Sequence, residues 1–324
     1  IIDKNGKKKY IPFDSSIAFT QWEKEKKIKY TKNSYVVKVK SYQGILIAFI
    51  KEKNKLVKKK YNKIYLGAGC INTTAIVDKS LFSEGSRVYP IKSVPSLFQL
   101  YLKLPFGRKK KNLRTKNYGD YKLCNYFLEH KSKFTSKYWT HTQIGPINKI
   151  ILKKLKDNSN KIFHKFFNII CDMFLFSSTV FHSELGTKIL LKSNLSYKPS
   201  GSSYLQNIHI IEKENNLKIQ NSIAIKIAVF KKIFDLALLP IPFSNFLANK
   251  LKGNRYSGWH YGGTLRYSLK RLKNPFCKPS GQVAGLTNLF VIDSSIFPSI
   301  PGSTVALLTM ANAHRIAKNS INKL

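Results

Sequence analysis

The segment Gly258-Trp259-His260-Tyr261-Gly262-Gly263-Thr264 sets one histidine among three glycines. The glycines let the backbone bend closely around the imidazole, whose ordinary pKa near neutrality suits a general base. Taken alone, such a histidine is more often a satisfied structural residue. Two further clusters add to it. Leu289-Phe290-Val291-Ile292-Asp293-Ser294-Ser295 reads as a hydrophobic strand ending in an acid and two small hydroxyls. Pro301-Gly302-Ser303-Thr304 then leads into a helical pattern over Val305 to Lys318. Ser303 or Thr304 can cap its first turn, and His314, Arg315 and Lys318 sit near its end, where cations are favoured.

A third cluster lies early in the chain. The strand Lys63 to Leu66 enters Gly67-Ala68-Gly69, followed by Asn72-Thr73-Thr74 and Ala75-Ile76-Val77. A strand, a small-residue turn and a helix let a ligand approach the backbone and aim helix amides at it, although such a turn also serves as a plain tight connection.

The elements that must position these clusters follow from periodicity. Ser34 to Val39, Gly44 to Ile50 and Lys55 to Lys60 read as strands joined at Gln43-Gly44 and Lys53-Asn54. In the middle of the chain, Val94 to Leu104, Ile147 to Leu155 and Ile219 to Leu238 have helical spacing, whereas Ser177 to Ser183 and Lys188 to Lys192 alternate as strands. The expectation is an α/β (α+β) fold, with an antiparallel sheet and surrounding helices at its centre.

Composition narrows the function. The 324 residues carry 57 Lys+Arg against 16 Asp+Glu, a formal net charge of +41, with 43% hydrophobic and 13% aromatic residues. That apolar share builds a core and excludes a disordered basic tail. Only seven of the cations are Arg, so the surplus reads as a solvated Lys surface ahead of nucleic-acid recognition, which favours the Arg fork. The cluster Arg108-Lys109-Lys110-Lys111, with Arg114 and Lys116, reads as an exposed loop or, more sharply, as a contact for an anionic membrane or polymer. Cys70, Cys124, Cys171 and Cys277 have neither disulfide-framework nor zinc spacing, which indicates a reducing, cytoplasmic setting and no metal site. Phe163 to Phe181 and Ile223 to Phe243 are apolar, but each carries charged residues and neither reads as a membrane span.

Together these blocks resemble a known family. His260-x-x-Gly263-Thr264, Asn288 to Ser295 with Phe297-Pro298, and Pro301-Gly302-Ser303-Thr304 before a helix are similar, in order, to the C-terminal segment of the glucose-methanol-choline (GMC) oxidoreductases. Leu66-Gly67-Ala68-Gly69-Cys70-Ile71-Asn72-Thr73 is similar to that family's AAGAINTP stretch. The resemblance implies a partial FAD-binding domain of the GMC type, formed by 1–80 and the catalytic segment 256–324, around a substrate domain at 81–255. It also implies FAD as cofactor and oxidation of an alcohol or sugar, with hydride passing to flavin N5 and His260 as base. Ala68, Gly69, Asp293, Ser294, Ser303 and Val305 are the implied flavin contacts. Thr304 stands where the family usually has a second His or an Asn, and it reads equally as a substrate hydrogen-bond donor or as a helix cap. His182, His209 and His314 read as structural or surface residues.

The family's Gly-x-Gly-x-x-Gly turn, which admits the FAD pyrophosphate onto a helix N-terminus, does not occur in the sequence. The chain opens Ile1-Ile2-Asp3, so an upstream segment or a second polypeptide is the expected source of that cradle. Two alternatives stand beside this reading: a non-catalytic degenerate remnant of such an enzyme, and a Lys-rich protein that binds anionic surfaces.

Overall fold

The structure is a computed structural model that describes residues 15–53, 55–94, 96–103, 117–118, 121–122, 126–132, 136–146, 174–186, 188–197, 204–213, 238–240 and 260–321. It begins with helix α1 (Ser15–Lys24), followed by the meander β1 (Ser34–Tyr42), β2 (Ile45–Glu52) and β3 (Lys55–Tyr61). Tyr42 pairs with Ile45. The two-residue turn between them takes positive φ at both positions, 47° at Gln43 and 80° at Gly44, the hairpin geometry that matches strand twist. Along β2, Leu46, Ala48 and Ile50 point into the core, as period-2 alternation requires.

The chain then runs through β4 (Ile64–Leu66) into helix α2 (Cys70–Leu81) and β5 (Gly85–Ser93). Next comes β6 (Ser96–Lys103), where helical spacing predicts a helix and a strand is found instead. A short run rich in apolar residues fits either period, and pairing decides it: β6 is hydrogen-bonded on both sides within a five-stranded sheet. The short pair β7 (Asn117–Tyr118) and β8 (Tyr121–Lys122) precedes β9 (Tyr126–Ser132), β10 (Ser136–Pro146) and β11 (Phe174–Val180). After them come β12 (Lys188–Tyr197), β13 (Tyr204–Lys213), β14 (Leu238–Pro240), β15 (Tyr261–Gly262), β16 (Leu289–Val291) and helix α3 (Ala306–Ile321).

The result is a mixed α/β fold dominated by antiparallel pairing. The larger sheets have the orders β14-β6-β11-β10-β9 and β13-β12-β5-β15, and the one parallel pair among the described strands is β16 with β4. The expected helices at 147–155 and over most of 219–238, and the basic cluster at 108–116, lie outside the described residues; Leu238 itself opens β14. Among the described residues, no helix is long and apolar enough to cross a membrane.

The core gathers around α2, β4 and β16, with Val77, Leu191, Leu265, Leu289, Val291, Ile296 and Ile300 fully enclosed. A buried polar group ties α2 to the four-stranded sheet. Asp78 accepts hydrogen bonds from the Tyr89 hydroxyl and from Ser193 Oγ at 2.7 Å, and Arg87 Nη1 stands 3.6 Å away. Gln206 Nε2 extends the network to Ser193 Oγ at 3.0 Å and to the Ala75 carbonyl at 3.1 Å. With its oxygens thus bonded, the Asp78 carboxylate can stay in the interior.

Candidate active site

The site is built where β4 gives way to α2. Gly69 holds φ 83° and ψ 156° as the residue capping α2, a conformation that side chains rarely adopt. The place where a Cβ would stand is open, with no heavy atom within 4 Å. The Gly69 amide donates to Asp293 Oδ2 at 2.9 Å, and Thr73 Oγ1 donates to the same oxygen at 2.5 Å. Asp293 Oδ1 accepts the Ser295 amide at 3.0 Å and also the Ser295 hydroxyl. Both oxygens are therefore bonded within the protein, and Asp293 is buried. Its side chain acts as a clasp on the turn.

Thr264 explains the hydroxyl at the end of the histidine block. It is buried, accepts from Thr74 Oγ1 at 2.6 Å and meets Cys70 Sγ at 3.4 Å. Gly262 and Gly263 let the strand lie against the turn after β16, where the Gly263 amide donates to the Ser294 carbonyl at 3.1 Å. Ser294 Oγ in turn donates to the Tyr261 carbonyl at 2.5 Å. These bonds fix His260, one residue before β15, whose carbonyl accepts the Val94 amide at 3.2 Å.

A cavity of about 320 Å³ results, lined by Ala68, Gly69, Cys70, Ile71, Asn72, His260, Tyr261, Ser294 and Val305. His260 is half-buried at its wall, and desolvation holds its pKa below the usual histidine value. The ring thus favours the neutral form, the one that can accept a proton. Burial pushes the Cys70 thiol up to about 11, so it is no nucleophile near neutral pH.

Among the residues expected from sequence, the structure brings Ala68, Gly69, His260, Ser294 and Val305 together. It places Asp293 beneath them and leaves Ser303 and Thr304 outside the lining, with Thr304 exposed. Helix α3 begins at Ala306, later than a cap at Ser303 or Thr304 would set it: the Val305 carbonyl accepts the Thr309 amide at 2.9 Å, which puts Val305 at the cap position. Pro301-Gly302 is instead committed to packing. A Cβ on Gly302 would stand 2.8 Å from the Trp139 carbonyl oxygen and 3.0 Å from the His182 nitrogen. Next to it, the Ile300 amide donates to Ser183 Oγ at 2.8 Å.

Sequence reasoning missed Cys70, Ile71, Asn72 and Tyr261 as lining residues, although each adjoins a motif that marks the place. His182 stacks on Tyr138 with ring centroids 3.7 Å apart and accepts the Glu184 amide at 3.3 Å, a structural role. His314 is exposed on α3. Among the described residues, no cluster of three or more His, Cys, Asp or Glu could hold a metal ion.

The donor set fits the edge of a flavin ring. Two helix starts and an open glycine position face one cavity, and unpaired amides at helix N-termini favour negative charge. The given sequence holds no Gly-x-Gly-x-x-Gly turn of the kind that cradles a dinucleotide pyrophosphate.

Residues 233–313 match the family model described as GMC oxidoreductase. No curated protein matches the chain. Among solved structures it is similar to pyridoxine 4-oxidase from Mesorbium loti, at 11% identity and a TM-score of 0.47, covering 88% of this chain and 57% of that one. Residues 233–313, about a quarter of the chain, are thus similar to the C-terminal portion of the GMC oxidoreductases.

Proposed function

We propose that the chain forms the flavin-facing part of an FAD-dependent oxidoreductase acting on the CH–OH group of an alcohol or sugar. The observation that carries this reading is the convergence of His260, the Ala68-Gly69 turn before α2 and Val305 before α3 on one cavity. Bound FAD supplies the hydride acceptor. His260, held neutral by burial, takes the hydroxyl proton of the substrate. The start of α3 offers backbone dipole to negative charge on the ring. Ser294 and Gly69 leave room for the ring's edge and keep its position by backbone contact. Asp293 acts through Gly69 rather than on the cofactor directly. A separate segment or polypeptide carrying a Gly-x-Gly-x-x-Gly turn supplies the pyrophosphate cradle.

The test is a flavin fluorescence titration of the chain, alone and with a polypeptide bearing that turn. The expected result is quenching that strengthens when both are present. In the loaded protein, His260→Asn should slow bleaching of the flavin by an alcohol by ~10²-fold or more. An unchanged rate excludes His260 as the base.

A further inference from the structure

A second, larger cleft lies at the opposite end of α2 from the cavity just described. It measures about 700 Å³ and is lined by the apolar residues Leu81, Phe82, Leu272 and Phe276 among others, with Arg271, Lys273 and Lys278 in its wall. None of the residues that line it is a carboxylate. The sequence from 236 to 292 contains no Asp or Glu at all, so these cations have no acidic neighbour within their own segment.

The loop beside it, 267–279, buries Pro275 and Cys277 but presents two apolar side chains outward. Leu269 is 92% exposed and Tyr267 is 45% exposed. This is not a frayed segment. The Tyr267 amide donates to the Ile296 carbonyl at 2.9 Å and the Ser268 amide to the Cys277 carbonyl at 2.9 Å. Asn274 Nδ2 donates to the Val88 carbonyl at 2.8 Å, and the Lys270 amide donates to Ser268 Oγ at 3.1 Å. The fold therefore pins the backbone on both sides of Leu269, which Lys270, Arg271 and Lys273 follow in sequence, so the outward leucine is held beside a run of cations.

We propose that this loop and cleft form a docking surface for an anionic phospholipid bilayer. Leu269 and Tyr267 enter the headgroup boundary, where an aliphatic side chain and an amphipathic ring are favoured. Arg271, Lys273 and Lys278 meet lipid phosphates. The apolar floor of Leu81, Phe82 and Phe276 accepts the upper part of an acyl chain. A nucleic acid would satisfy the cations but offers Leu269 nothing to bury against, so the bilayer matches both halves of the surface.

The experiment is co-sedimentation of the full chain with vesicles of phosphatidylcholine mixed with phosphatidylglycerol, compared with phosphatidylcholine alone. Binding should require the anionic lipid. Leu269→Ser and the pair Arg271→Gln/Lys273→Gln should each weaken it by roughly 10-fold or more. The control pair Lys55→Gln/Lys60→Gln, on β3 and outside the cleft, should weaken it by less than about 3-fold. Because all these positions are exposed, the variants should keep the far-ultraviolet circular dichroism of the parent. Equal losses from both pairs would mean diffuse attraction of a +41 chain, and would overturn the proposal. So would binding indifferent to Leu269→Ser, complete displacement by soluble glycerophosphate, or displacement by duplex DNA at equal charge.

Discussion

The Gly69 amide and the Asp293 carboxylate meet at 2.9 Å, although 224 positions separate them in sequence. That bond holds a glycine with positive φ at the head of α2 and leaves the cavity side of the residue open. The shape of the candidate site therefore depends on an acid that does not line it.

Asp293→Ala should destabilise the chain by about 3 kcal/mol, because the Gly69 and Ser295 amides and two hydroxyls lose their acceptor in the interior. Urea denaturation checks this: the midpoint should fall with the slope unchanged. Asp293→Asn should recover part of the loss, since an amide oxygen can replace one of the two acceptors.

His260 links the site to pH. Its folded pKa lies below the unfolded value because burial disfavours the charged ring. The unfolded chain therefore binds more protons between the two values, so stability is full above about 6.5 and declines as the pH falls through it. His260→Asn should remove that part of the decline in parallel melts across pH. In the loaded protein, the lower limb of the rate profile should fall below the ordinary histidine pKa.

Two glycines should fail differently. Gly302→Ala pushes a methyl against the Trp139 carbonyl at 2.8 Å and the backbone of His182, and should cost about 3 kcal/mol or more. Gly69→Ala meets no atom within 4 Å and carries only the backbone penalty of about 1–3 kcal/mol for a side chain at φ 83°, ψ 156°. Its methyl projects where the cofactor edge is placed, so FAD titration should show a loss of affinity larger than the loss of stability.

Tyr89→Phe should cost about 1–3 kcal/mol, because Asp78 loses a donor at a fully buried position. Burial and the neighbouring Asp78 push the Tyr89 phenol far up. An ultraviolet alkaline titration should therefore show this tyrosine ionising only as the chain unfolds. A double-mutant cycle with Ser193→Ala should give non-additive losses, since both groups bond the same carboxylate.

The residues show how far the sequence could be read. The first strands and α2 were legible because Gln43-Gly44 and Gly67-Ala68-Gly69 are turns with local causes, and local causes leave local patterns. The His260 block and the strand Leu289–Val291 were legible for the same reason. Residues 96–103 were not, since an apolar run too short to display a period takes its form from the strands on either side. The role of Asp293 was hidden too: its type announces a polar contact, but only the fold shows that the partners are Gly69, Thr73 and Ser295. Ser303 and Thr304 looked like caps, yet the first helical bond is accepted one residue later, a shift that no propensity rule resolves.

The parallel pairing of Ile64 with Leu289 carries a consequence for how the molecule comes into being. During translation, the strand at 64 leaves the ribosome long before its neighbour at 289 has been made, and two parallel strands cannot close through a hairpin. Until then Leu66 lacks its partner Val291 on the nascent chain. Closure of this core thus waits until residues 289–291 have been made, and the exposed strand before that moment is a natural client for a chaperone.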